Sequence, residues 1–151
     1  MDRVILDSQI HDIVAADASL KQLIERCQSA GHITVLSTHV QGEELGKIPP
    51  HKDIGQATTV GAEQIGTSVF VLDYSYLDLD QLGTPAADAA FAQLQIGNLK
   101  HTEDAMIGTT ALTDADILVT NDQKFRKGFE KLGSTVKVMS AAEFSTYLAG
   151  L

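Results

Sequence analysis

The sequence predicts a three-layer α/β/α sandwich on a mainly parallel sheet of about five strands, and three observations carry that prediction. Short apolar runs of strand length recur along the chain. Stretches with helical spacing separate them, and acids or N-capping residues stand where the runs end. No internal repeat, low-complexity tract or long linker divides the chain, so residues 1–151 are expected to form a single domain.

Arg3 to Leu6 is a short apolar run ended by Asp7-Ser8 and reads as the first strand. Ile10, Ile13 and Val14, then Leu20, Leu23, Ile24 and Cys27, follow helical spacing in two pieces broken near Asp17. His32 to Leu36 is β-branched and short, a second strand. Ser37 or Thr38 then offers an N-cap for a helix carrying Val40, Glu44 and Leu45, stopped by Pro49-Pro50. Asp53 to Ile65 is read as a further helix despite the glycines in and beside it.

Ser68 to Leu72 is the expected third strand, and Asp73 to Gly83 an acidic loop. Thr84-Pro85 opens a helix through about Leu94, with proline at the first helical position. Thr102 caps a largely buried helix bearing Ala105, Met106, Ile107, Thr110, Ala111 and Leu112. Ile117 to Thr120 is the fourth strand, Phe125 to Leu132 a helix and Val136 to Met139 the fifth strand. Ser140-Ala-Ala-Glu143 is a capping box for the last helix.

Composition narrows the function. Apolar residues make up 44% and charged residues 21%, as in soluble globular proteins, and the longest apolar run falls far short of a membrane span. The first residues, Met1 to Asp7, lack the features of a secretory signal. A lone Cys27 can make neither an intramolecular disulfide nor a thiolate metal site, so cytoplasmic residence is expected.

The net charge of −9 opposes a nucleic-acid partner, because phosphate affinity comes mainly from Lys and Arg. It favours instead an enzyme acting on a neutral or cationic small molecule. Bound divalent cations would offset part of that charge, and Lys124, Arg126, Lys127 and Lys131 form a local basic cluster.

In parallel α/β sheets ligands sit at the carboxyl ends of the strands, and four acids stand where they can reach that edge. Asp7 ends the first strand, Asp122 lies just past the fourth, Asp104 sits in the first turn of a buried helix, and Glu44 lies two turns into the helix after the second strand. Singly, each has a plain structural use. Asp7 or Asp122 can cap a helix, Asp104 can complement a helix dipole, and Glu44 can be a solvated surface acid. Jointly they repel one another unless a cation intervenes. Hard oxygen ligands without His or Cys select Mg²⁺ or Mn²⁺, and such ions hold phosphate oxygens and activate water, the chemistry of phosphodiester hydrolysis.

Three segments carry a resemblance. Asp104-Ala-Met-Ile-Gly-Thr-Thr-Ala-Leu-Thr-Asp-Ala-Asp-Ile-Leu-Val-Thr-Asn-Asp-Gln-Lys-Phe125, Val4-Ile-Leu-Asp-Ser8 and Val40-Gln-Gly-Glu-Glu-Leu45 resemble the PIN-domain nucleases, which include the toxin ribonucleases of bacterial toxin–antitoxin pairs. The resemblance implies a three-layer fold and metal-dependent endoribonuclease activity. It also implies Asp7, Glu44, Asp104 and Asp122 as the acidic set that holds Mg²⁺ or Mn²⁺, with RNA as substrate, a homodimer, and a cognate antitoxin for members that are toxins.

Gln9 stands where the family has Asn, and Pro49 to Gly66 has no clear counterpart. Glu43 and Glu44 are both available as the second acid; the following Leu45 favours Glu44. Asp104 is preferred over Glu103 because it opens the Ala-Met-Ile helix.

Ser8, Thr120, Asn121, Lys124 and Arg126 are candidates for contacting substrate or orienting the acids, with ordinary turn, cap and surface roles as the alternative. The five histidines show no paired ligand spacing and are assigned to surface or loops; Asp73, Asp78 and Asp80 are read as a solvated connection. Cys27 and the phenylalanines are read as packing residues. Two rival functions remain open. One is a PIN-like binding module with little catalysis. The other is a phospho-acceptor receiver-type domain, which requires Asp73 to follow the third strand.

Overall fold

Val4, Ile5 and Leu6 are all fully buried, although successive residues of a strand point to opposite faces. A strand with that profile must be covered on both sides. The computed structural model, which describes residues 1–41, 60–71, 74–75, 80–95 and 102–151, has this arrangement. Five parallel strands, β1 (Asp2–Leu6), β2 (Ile33–Thr38), β3 (Glu63–Ile65), β4 (Ile117–Val119) and β5 (Lys137–Met139), lie in the order β3-β2-β1-β4-β5.

One helical layer holds α1 (Ser8–Ala16), α2 (Ala18–Ser29) and α6 (Ala141–Ala149). Its core joins Val4, Leu6, Ile33, Val35, Ile117 and Val119 to Ile10, Val14, Leu20, Ile24, Phe144 and Leu148. The other holds α4 (Thr102–Asp114) and α5 (Gln123–Glu130), with α3 (Pro85–Gln95) packed on α4. There Ile5, Leu36 and Leu118 meet Ile107, Ala111 and Phe129. Each of these buried Val, Ile, Leu and Phe side chains contributes roughly 1.5–3 kcal/mol, so the two layers together fix which face every strand residue takes.

Local signals set the element ends. Asp17 separates α1 from α2, its side chain accepting from the backbone N–H of Ser19 (3.0 Å) and Leu20 (3.1 Å). Gly31, with φ of 73°, takes the left-handed conformation that ends α2 and turns the chain into β2. Ser140 and Glu143 form the expected capping box of α6. Thr102 is itself the first residue of α4, and the other expected boundaries that fall on elements in the described residues lie within a residue or two of expectation; the helix end expected at Pro49-Pro50 lies outside the described residues.

Two expectations are corrected. The last residues of the segment read as a helix over Asp53–Ile65 form the edge strand β3 instead, registered Leu36 to Glu63, Ser37 to Gln64 and Thr38 to Ile65; residues 53–59 lie outside the described ones. Glu63 and Gln64 are exposed, so this strand carries no apolar run to announce it. The third strand expected over Ser68–Leu72 is not formed by residues 68–71. The Ser68 N–H donates to Thr110 Oγ1 (3.1 Å) and the Val71 N–H to Ser75 Oγ (2.9 Å), so these amides are satisfied by side chains rather than a neighbouring strand.

The strand order sets the site. The chain steps from β1 outward through β2 to β3, then returns to the other side of β1 for β4 and β5. The direction reverses between β1 and β4, and the crevice at the carboxyl ends of such a pair is where ligands bind in open α/β sheets.

Candidate metal centre at the β1–β4 crevice

Asp7 leaves β1 and its N–H donates to the carbonyl of Val119 (2.9 Å), which places it beside the end of β4. Its backbone occupies the N-cap position of α1, yet its side chain caps nothing there. Instead Oδ2 accepts from the Thr120 hydroxyl (2.7 Å). Asp7 is only 6% exposed. Burial pushes its pKa above the ordinary value. The Thr120 hydroxyl opposes that shift, the charge of Asp104 reinforces it, the Ser8 backbone N–H opposes it and the charge of Asp122 reinforces it. Asp7 therefore lies within the field of both Asp104 and Asp122 at the crevice.

Thr120 links two of them. Its N–H donates to the Met139 carbonyl (2.8 Å), continuing the pairing with β5, and its hydroxyl accepts from the Asp122 N–H (3.1 Å) while donating to Asp7. Asp122 does cap α5: Oδ1 accepts from the N–H of Lys124 (2.7 Å) and Phe125 (3.0 Å). Asn121 Oδ1 accepts from the Ala141 N–H (3.0 Å) and ties this loop to the start of α6.

Asp104 stands half-buried in the first turn of α4, the acid there whose charge bears on Asp7. Glu44 and the competing Glu43 lie outside the described residues.

The basic candidates divide. Lys124 is exposed at the first turn of α5. Arg126 is held by Glu130 (3.1 Å) and Glu143 (2.8 Å), and with the Ser140 cap it keeps the Glu143 carboxyl down at about 2. Its guanidinium joins α5 to α6.

No family model, curated protein or solved structure matches this chain. The site is therefore read on its own geometry.

That geometry has two sides. The donor chemistry, carboxylate and hydroxyl oxygen without sulfur or imidazole, suits Mg²⁺ or Mn²⁺. A buried carboxylate facing two like charges is the environment a cation relieves. Yet among the described residues no three His, Cys, Asp or Glu side chains stand close enough to hold an ion together. The residues fit the ion by chemistry and electrostatics.

Of the histidines assigned to surface or loops, His32 is exposed as expected, His51 and His101 lie outside the described residues, and His11 and His39 depart from the expectation. His11 is 4% exposed on α1 with neither ring nitrogen hydrogen-bonded, and burial lowers its pKa against the pull of Asp12. Helical spacing does place it one residue from Ile10 on the covered side. The His39 Nε2–H donates to the Tyr74 carbonyl (2.8 Å), and its Nδ1 lies 3.3 Å from Asp80 Oδ1. Asp80 also accepts from the Thr67 N–H (2.7 Å), so its carboxylate anchors the loop rather than solvating it. Asp73 and Asp78 lie outside the described residues. Cys27, Phe129 and Phe144 are buried in the core as expected.

Sequence reasoning missed Gln41. It is fully buried, its Oε1 accepts from the Thr38 N–H (3.0 Å) and its Nε2 donates to the Leu6 carbonyl. The Gln41 N–H donates to Thr38 Oγ1 (3.4 Å), so Thr38-His-Val-Gln41 is a capping box, a signal present in the sequence.

Proposed function

We propose that this chain is a Mg²⁺- or Mn²⁺-dependent endoribonuclease. The observation that carries the reading is Asp7, a buried carboxylate at the sheet's reversal point, steadied by Thr120 and facing the charges of Asp104 and Asp122. The likeness of Val4–Ser8, Val40–Leu45 and Asp104–Phe125 to PIN-domain nucleases supports it independently.

Asp7, Asp104 and Asp122 would hold the ion, with Glu44 as the fourth acid by sequence. The ion supplies Lewis acidity toward a phosphate oxygen and a water of lowered pKa. The protein's own part is positional. Thr120 keeps Asp7 and the Asp122 loop in fixed relation, and the cap bonds to Asp122 Oδ1 hold that carboxylate at the mouth of the crevice. Lys124, beside it, would meet the RNA backbone. The lone Cys27 extends the proposal to cytoplasmic residence, and the likeness extends it to a homodimer and a cognate antitoxin. Among the described residues no helix is long and apolar enough to cross a membrane.

A PIN-like binding module with little catalysis is favoured by one observation, the absence of a close three-acid group among the described residues. The receiver-type alternative loses ground, since β3 ends at Ile65 and is followed by Gly66, not by an acid. Its strand order would also be 2-1-3-4-5 rather than the order seen here.

The test is cleavage of RNA by wild type beside Asp104→Asn, with and without Mn²⁺. Mn²⁺-dependent cleavage lost in the variant is expected, together with a rise in wild-type Tm at millimolar metal. The absence of both cleavage and a thermal shift at millimolar metal would overturn the metal reading and select the binding module.

A further inference from the structure

Strands β1 and β2 pair in parallel from Asp2 with Ile33 to Ile5 with Leu36. In that ladder the Asp2 N–H donates to the carbonyl of His32, the residue preceding its partner. Parallel pairing repeats this pattern every second residue, so the Leu6 carbonyl should accept from the Thr38 N–H. It does not. The Thr38 N–H donates to Gln41 Oε1 (3.0 Å), and Gln41 Nε2 donates to the Leu6 carbonyl. One side-chain amide stands between the strands and offers each what a peptide group would have offered. Leu6, Thr38 and Gln41 are all fully buried, so water does not substitute for it.

At the edge where the crevice opens, the amide takes the place of the direct β1–β2 hydrogen bond. It also grips the Leu6–Asp7 peptide. Its carbonyl is held by Gln41 from the β2 side, and its N–H is held by Val119 from the β4 side (2.9 Å). That peptide plane sets the direction in which Asp7 leaves the strand, toward the Thr120 hydroxyl.

We infer that Gln41 is a positioning residue for the metal centre, acting through the Leu6–Asp7 peptide to aim the Asp7 carboxylate. The inference rests on the nuclease reading above. Groups that orient a ligating side chain from behind are typically worth about 10–100-fold in metal affinity.

The test compares wild type, Gln41→Met and Gln41→Glu. The measurements are Mn²⁺ affinity by electron paramagnetic resonance, circular dichroism, and kcat and KM for RNA cleavage. Gln41→Met keeps the length and removes both hydrogen bonds, so Mn²⁺ affinity should fall about 10–100-fold at every pH, with kcat reduced and RNA KM unchanged. Gln41→Glu keeps the acceptor for Thr38. Its second oxygen faces the Leu6 carbonyl, and supplies a donor only when protonated. Its affinity relative to wild type should therefore recover as pH falls from 8 toward 5, which a purely structural loss would not do.

Wild-type affinity in a folded Gln41→Met would overturn the inference while leaving the nuclease reading intact. A wild type that neither binds Mn²⁺ nor cleaves RNA would overturn that reading and the inference with it. If neither variant folds, Gln41 is a stability element, and the positioning role is refuted.

Discussion

The Thr120 hydroxyl is the most consequential single group at the crevice, and Thr120→Val isolates it. The substitution keeps the β-branched shape at a site that is 1% exposed and removes one oxygen. Lost with it are the 2.7 Å bond to Asp7 and the 3.1 Å bond from the Asp122 N–H. A hydrogen bond to a charged acceptor is worth roughly 1.5–3 kcal/mol, and a half-buried amide that can turn to water adds about 0.5 kcal/mol. The extra methyl returns up to about 0.8 kcal/mol of burial.

The net loss is about 2 kcal/mol near neutral pH, or about 4–8 °C in Tm for a chain of this size. Because the bond favours ionised Asp7, the loss should shrink as acid protonates that carboxyl. Urea titrations of both proteins at pH 7 and pH 3.5, in chelator, measure the difference. A loss under about 0.5 kcal/mol at pH 7, or one equal at both pH values, would refute the coupling of Thr120 to Asp7.

Asp7→Asn tests the charge cluster itself. The raised pKa of Asp7 means its ionised form opposes folding: its contribution is full below the ordinary 3.8 and is lost as pH rises through the raised value. In chelator the variant should therefore melt above wild type at pH 7, the gap closing near pH 3.8, and Mg²⁺ should raise the Tm of wild type alone; a lower Tm for the variant at pH 7 would contradict the clustering. Lys124→Gln should weaken RNA binding and flatten the dependence of log K on log salt by about 0.7, one phosphate contact's share for single strands. Arg126→Gln, whose guanidinium already serves Glu130 and Glu143, should leave that slope unchanged and cost under about 1 kcal/mol of stability, as exposed pairs do. Filter binding across a salt series separates the two, and equal slopes for both variants would remove Lys124 from the interface.

Local chemistry made most of the fold readable. The runs at Val4–Leu6 and Ile117–Val119 are buried on both faces, and a strand in that setting has no polar alternation to confuse it. Asp17 and Ser140 fix helix starts through bonds to amides two or three residues away, information the sequence holds entirely. β3 failed that route because its support comes from β2, 27 residues earlier, while Glu63 and Gln64 face solvent. Ser68–Val71 failed the opposite way: its apolar, β-branched composition is strand-like, but Thr110 and Ser75 satisfy its amides.

At the site, Asp7, Asp104 and Asp122 were legible from their places at element ends. Gln41 was legible only as half of a capping box. Its insertion between β1 and β2 depends on a register no local pattern encodes, and the burial of His11 is likewise a tertiary fact.

Asp7 and Asp122 began with the same plain explanation, helix capping, and the structure separates them. Asp122 caps α5 with Oδ1 and so satisfies local energetics while standing at the crevice. Asp7 holds the N-cap position of α1 and declines the cap, forgoing an interaction worth about 0.5–2 kcal/mol. It accepts burial beside two like charges, which raises the cost further. A capping side chain would accept from the N–H groups two or three residues on, whereas only the Ser8 N–H favours the Asp7 charge. What turns it the other way is Thr120 in front and the peptide held by Gln41 and Val119 behind. Departures from local preference that neighbouring residues actively maintain concentrate at functional sites. On that physical ground the Asp7 side chain is set by Thr120 and the β1–β4 crevice rather than by α1.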